Sequence, residues 1–183
     1  MRNAIPTAAL SEFVNEVAAA PEEAIMDYGL EVKWQSGTRA ISETKPMKVG
    51  PHQVSRSFSW TSDEPRQLMG NNHGPNPQEL LLSGLGSCMM VSFIAGATAE
   101  GIQLESVRID FDATLDLRGF MGLATNSTVG FPEIRYQIHV TGDATAEEFA
   151  ELHRKSVAHS PNAQTILNPV QLTGDIIATQ IEN

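Results

Sequence analysis

Residues Gly74–Gly101 read GPNPQELLLSGLGSCMMVSFIAGATAEG, and the reading of this stretch decides the fold. Asn76 has the side chain of a helix N-cap, and Pro77 suits the first helical position, where a missing N–H costs nothing. Gly101 marks the end, so one long helix is expected from about Pro77 to Glu100. Within it, Leu80–Ala99 runs for twenty residues without a charge, long enough to cross a bilayer. Seven of those twenty are Ser, Thr or Gly, and neither flank carries Lys or Arg. Gln78 and Glu79 precede the run and Glu100 follows it. A membrane span ordinarily has basic cytoplasmic flanks and interfacial Trp or Tyr. A helix apolar all round also serves as the buried centre of a globular fold. The missing anchors favour that second reading, with no membrane as partner.

Upstream, Met26–Gln35 (MDYGLEVKWQ) alternates in the manner of a strand, Ser36-Gly37 reads as a turn, and Thr38–Thr44 returns as a second strand. Gln53–Thr61 (QVSRSFSWT) sets Val54, Phe58 and Trp60 among polar residues, a half-buried strand with one irregularity. Asp63-Glu64-Pro65 and Gly70–Pro77 form the loop that launches the long helix. Residues 8–20 read as a first helix with polar breaks at Ser11, Glu12, Asn15 and Glu16. Downstream, Val107–Leu117 alternates with Ile109, Phe111, Ala113, Leu115 and Leu117 on one face. Gly119–Gly130 is a loop, and Ile134–Val140 alternates again. Ala146–His159 reads as a helix capped by Thr145, with Phe149, Leu152 and Val157 inward. Ser160-Pro161 breaks it, a short helix follows to Leu167, and Val170–Thr179 is a last strand. Runs of strands split by one buried helix give an α+β fold with mostly antiparallel pairing.

The 183 residues fit one domain, with 1–25 as a helical extension and 26–183 as the core. Apolar residues at 41% and charged residues at 19% are globular values. Twelve basic against twenty-two acidic residues give a net charge of −10 with no basic cluster, which argues against nucleic acid as a partner. A single cysteine, Cys88, excludes an intrachain disulfide framework, and the N-terminus lacks a signal-peptide apolar run. The cytoplasm is the expected compartment.

Gly84, Cys88, Ser92 and Gly96 recur every four residues and form one stripe of small side chains along the long helix. Such a stripe admits a second helix closely or leaves room for a substrate beside the thiol. Cys88 is the one plausible nucleophile there, and its plain alternative is a small hydrophobe in a packed seam. Among the histidines, His153 and His159 lie six apart, about 240° around a helix, and do not face one ion. His52, His73 and His139 are scattered, with His73 reading as solvated in its Gly-Asn loop. No metal is expected.

The run GPNPQELLLSGLGSC, the apolar helix ending EGIQLESV, and the later HSPNAQTILNPV together resemble the OsmC/Ohr superfamily, the osmotically inducible protein C and organic hydroperoxide resistance proteins. The resemblance extends from about Met26 to the C-terminus. It implies an OsmC-like intertwined homodimer, with β-sheets from both chains wrapped around long central helices and sites at the subunit interface. It further implies thiol-dependent reduction of organic hydroperoxides without metal or organic cofactor. In that cycle a thiolate opens the O–O bond, becomes a sulfenic acid, and is resolved by a second cysteine.

This chain keeps the first cysteine of the pattern as Cys88 but has Ser160 where the resolving cysteine stands, and an alcohol cannot close a disulfide. The family's catalytic glutamate, ten residues before the first cysteine, corresponds to Gln78, followed by Glu79 as a possible substitute. In one continuous helix Gln78 and Cys88 lie about 15 Å apart, so a shared site needs either a helix that starts late, with the chain doubling back, or a partner chain. Cys88 also sits some three turns in, where the helix dipole has faded. The resemblance assigns a nearby arginine, for which Arg56 is the first candidate, with Arg66 and Arg39 behind it; surface salt-bridging is the plain alternative for each. Two functions follow. One is a reductase of organic hydroperoxides using Cys88 alone with an external thiol. The other is a non-catalytic protein holding a small hydrophobic ligand at the dimer interface, with Cys88 structural or a redox sensor.

Overall fold

The structure, a computed structural model, describes residues 1–123 and 128–180. Asn3 ties the start of the chain to its centre. Its side-chain amide donates to the Thr98 hydroxyl (3.1 Å) and the Ile102 carbonyl (2.9 Å). Its carbonyl oxygen accepts from the Leu104 N–H (2.8 Å) and the Gln103 side chain (3.1 Å). The backbone at Asn3 is left-handed (φ 49°), a conformation Asn tolerates better than most residues. Helix α1 (Thr7–Ala19) follows, close to the expected 8–20, and buries none of its residues. Asn3→Ala should therefore release this extension at a cost of about 1–3 kcal/mol. Hydrogen exchange would read that as faster exchange across α1 and at Leu104, with the core unchanged.

Six short strands come next: β1 (Met26–Asp27), β2 (Leu30–Ser36), β3 (Arg39–Thr44), β4 (Met47–Val49), β5 (His52–Val54) and β6 (Ser59–Ser62). They form two antiparallel three-stranded sheets, β1-β4-β5 and β2-β3-β6. Two expected strands are each divided. Met26–Gln35 breaks at Tyr28-Gly29, because the Gly29 carbonyl accepts from Lys45 N–H and the chain changes sheets there. Gln53–Thr61 breaks between Val54 and Ser59, where the Phe58 carbonyl accepts from Thr44 N–H and draws the chain onto β3. Alternation reveals a face, not a ladder partner, so neither break nor β4 was visible in it. Every residue of β2 is exposed, Trp34 at 77% among them.

Helix α2 (Pro77–Ala99) has the expected Asn76 cap and Pro77 start, and Gly101 follows its end. Its buried residues Leu85, Met89, Phe93 and Ala97 repeat every four positions and form the core face. Strands β7 (Leu104–Ala113) and β8 (Ile134–Gly142) pair antiparallel, with Val107 opposite Val140, Ile109 opposite Ile138 and Phe111 opposite Tyr136 facing that core. β7 stops four residues short of the expected Leu117. Asp116 instead accepts from the Arg118 N–H (2.9 Å) and caps a single helical turn, α3 (Leu117–Phe120). Of the expected loop Gly119–Gly130, residues 124–127 lie outside the described residues.

Helix α4 (Ala146–Ala158) begins at a Thr145–Glu148 capping box, and α5 (Pro161–Leu167) begins at Ser160. Leu152 of α4 is fully buried against Phe93, Ala97 and Ile102. Ala163 of α5 joins Leu85 and Met89 in a second cluster. Helix α2 is long and apolar enough to span a bilayer, and within this chain it packs against α4, α5 and β7. The expected last strand, Val170–Thr179, is absent: residues 168–180 are irregular, and Leu172 and Ile177 are each 97% exposed. A strand needs a neighbour for its N–H and C=O groups, and no described strand of this chain lies against that segment. The result is α+β, antiparallel throughout its described strand pairs.

Candidate functional site

The loop that launches α2 is built on one carboxylate. Asp63, 1% exposed, accepts from the Thr38 hydroxyl (2.7 Å), the backbone N–H groups of Glu64, Asn71 and His73, and the His73 ring at Nδ1 (3.1 Å). The Thr38 hydroxyl, aided by the His73 and Asn71 N–H groups, holds this carboxyl well below the usual carboxylate range against the opposite pull of burial. His73 is half exposed, in keeping with the reading of a solvated ring, and is also tethered to Asp63. A side chain at Gly70 would meet the Glu64 carbonyl at 1.8 Å, which explains a glycine where the loop folds back on itself.

Along α2 the stripe of small residues faces α4 and α5. A Cβ at Gly96 would come within 2.8 Å of Leu152 Cδ1, so Leu152 of α4 packs into the space that the glycine leaves. Ser92 donates its hydroxyl to the His159 carbonyl (3.3 Å). One turn earlier, the half-buried Cys88 Sγ accepts from the backbone N–H of Asn162 (3.5 Å). The Asn162 side chain donates in turn to the Gly84 carbonyl (2.8 Å), clamping the start of α5 across the stripe. Ser160, fully buried, spends its hydroxyl oxygen on the Ala163 N–H. Asn162 is a site residue that the motif reading missed; its signal was its place two residues after the position of the absent second cysteine.

The other expected site residues stand elsewhere in the chain. Gln78 lies in the first turn of α2, and the helix runs unbroken to Cys88, which keeps them about 15 Å apart. Glu79 is engaged in capping its own helix: its carboxylate accepts from Asn76 N–H (2.8 Å). The Arg56 guanidinium lies 4.6 Å over the Phe58 ring, a cation–π contact. Arg39 donates to the Ser36 hydroxyl (3.3 Å), and Arg66 opens the short turn Arg66–Leu68. Among the described residues, none of these arginines hydrogen-bonds Cys88.

A groove of about 820 Å³ begins at Ser92, walled by Leu10 and Val14 of α1, by Val91, Ala95 and Ala99 of α2, and by Leu152 of α4. Its rim carries the Lys155–Glu100 ion pair (2.8 Å) and His159. Also on α4, His153 meets the Tyr136 hydroxyl at 2.8 Å, and burial raises that phenol above its ordinary value. No group of three or more His, Cys, Asp or Glu able to hold a metal occurs among the described residues.

A family model described as OsmC-like protein matches residues 70–174. Solved structures share the fold. An OsmC-like protein from Mycoplasma pneumoniae is 18% identical with a TM-score of 0.62, covering 77% of this chain and 87% of its own. An organic hydroperoxide resistance protein OsmC from Legionella pneumophila is 20% identical with a TM-score of 0.52, covering 76% and 88%. An organic hydroperoxide resistance protein from Elizabethkingia anophelis is 15% identical with a TM-score of 0.51, covering 75% and 86%. No curated protein matches the sequence.

Proposed function

This chain belongs to the OsmC-like protein family, and from that premise we propose that it reduces organic hydroperoxides with Cys88 as its sole redox cysteine and an external thiol as reductant. The observation that carries the reading is the polar contact of the half-buried Cys88 sulfur with the Asn162 N–H, at the family's thiol position. Two fold relatives described as organic hydroperoxide resistance proteins support the substrate class.

The Cys88 thiolate attacks the peroxide oxygen distal to the organic group. The O–O bond breaks, sulfur is oxidised to sulfenic acid, and the alcohol leaves after taking a proton. An external thiol then displaces water from the sulfenic acid, and a second thiol molecule releases Cys88 as the free thiol. Gln78 supplies no charge to the site and Ser160 no second sulfur, so the external thiol does the work of the resolving cysteine.

We place the protein in the cytoplasm as a homodimer. The exposed faces of β2, the unpaired apolar segment Val170–Ile177 and Val91 (68% exposed) support a second copy. Across that interface a partner chain would bring an arginine, Arg56 first, and the start of α2 with Gln78 towards Cys88.

A second reading, binding of a small hydrophobic ligand without catalysis, is favoured by the groove between α1 and α2, whose walls are largely apolar. Peroxide consumption separates the two. The native chain should consume one equivalent of cumene hydroperoxide without thiol and turn over with added dithiol, while Cys88→Ser consumes none. Peroxide left intact by the native protein would end the reductase reading and leave the groove to be tested for bound ligand.

A further inference from the structure

Until an external thiol arrives, the sulfenic acid is open to further oxidation, and a backbone nitrogen lies within reach of the sulfur. We propose that Asn162 resolves Cys88 sulfenic acid through its main-chain nitrogen, forming a sulfenamide in place of the family's disulfide. The inference rests on the reductase reading for its oxidant, an organic hydroperoxide.

The accounting of N–H groups at the start of α5 makes Asn162 the free one. Pro161 has no N–H, Ala163 donates to the Ser160 hydroxyl, and Gln164 donates to the Ser160 carbonyl. The first N–H groups of a helix have no partner within it. The Asn162 N–H therefore points at Sγ rather than into the helix, 3.5 Å away, and a bond to sulfur breaks no helical hydrogen bond. The Asn162 side chain on the Gly84 carbonyl holds the nitrogen against the stripe.

The step balances. The sulfenic S–O bond breaks, an S–N bond forms, and the hydroxyl leaves as water with the amide proton. Sulfur keeps its oxidation state, so no further oxidant is consumed. Condensation of sulfenic acid with a backbone nitrogen is established chemistry, and it guards sulfur from irreversible oxidation. An external thiol later attacks the sulfur, restores the N–H and leaves a mixed disulfide, which rejoins the reductase cycle.

The lone cysteine makes the product unambiguous by mass. The full-length protein would be treated with excess cumene hydroperoxide and, separately, excess hydrogen peroxide, then denatured in acid without thiol. Cys88→Ser, treated alike, reports methionine oxidation. The expected product is a single chain two hydrogens lighter than the reduced protein, absent from the variant. Trypsin should yield peptide 67–108 joined to 156–183 through Cys88 and Asn162, and dithiothreitol should reverse it. Chains heavier by one to three oxygens on Cys88, with none lighter, would overturn the sulfenamide and leave the reductase reading standing. A disulfide between two Cys88 residues would do the same. The lighter chain with hydrogen peroxide but not with cumene hydroperoxide would keep the sulfenamide and remove the organic hydroperoxide as substrate. Cys88 unmodified by either oxidant would end both.

Discussion

Asp63→Ala is expected to lower the melting temperature by about 5–10 °C, because the buried carboxylate is the shared acceptor for the loop that starts α2. Its removal leaves the Thr38 hydroxyl and the Asn71 and His73 N–H groups without the shared acceptor that ties them together. Hydrogen bonds to a charged group are stronger than neutral ones, so losing several at one hub is felt across the loop. Asp63→Asn tests the charge separately, since it keeps the volume but offers one acceptor oxygen instead of two. The carboxyl titrates below its ordinary value in the folded chain. Its contribution is therefore complete above the unfolded pKa of about 3.9 and fades as the pH falls further. The gap in melting temperature between the native chain and Asp63→Asn should be widest near neutrality and narrow below about pH 4. A gap that stays constant into strong acid would show that geometry, not the carboxylate charge, holds the loop.

Local signals in the sequence located α2 closely. Asn76, Pro77 and Gly101 act through their own backbone and side-chain chemistry, so the helix ends were legible without knowledge of the rest of the fold. The same holds for Thr145 and Ser160 at the starts of α4 and α5. What could not be read was pairing. Met26–Gln35 and Gln53–Thr61 alternate correctly yet each changes sheets partway, a choice made by ladder partners that alternation does not reveal. Val170–Thr179 has a strand's pattern and no described strand beside it. The site divides in the same way. Cys88 and its small-residue stripe follow from helical periodicity, but the contact with Asn162 spans 74 positions and depends on how α5 docks. The hub at Asp63 escaped notice because an acidic pair before a proline, Asp63-Glu64-Pro65, reads as a surface turn until the donors gather around it.

Leu152→Ala is expected to destabilise the protein by about 2–5 kcal/mol, and its effect should reach the thiol. Leu152 is fully buried and fills the space opposite Gly96 on α2. The surrounding Phe93, Ala97 and Ile102 are themselves buried and limit how far the site can collapse around the lost atoms. α4 passes straight into α5 through His159 and Ser160, and Asn162 is seated by that junction as well as by its own bond to Gly84. A looser α4 should let the Asn162 N–H withdraw from Cys88 and open the sulfur to solvent. Denaturant titration would measure the first effect, and the rate of Cys88 alkylation by iodoacetamide under folding conditions the second. Leu152→Met, which nearly conserves volume, should leave both close to native. If stability falls in Leu152→Ala while alkylation stays at the native rate, α4 does not set the position of α5, and the Gly84–Asn162 hydrogen bond alone holds the nitrogen on sulfur.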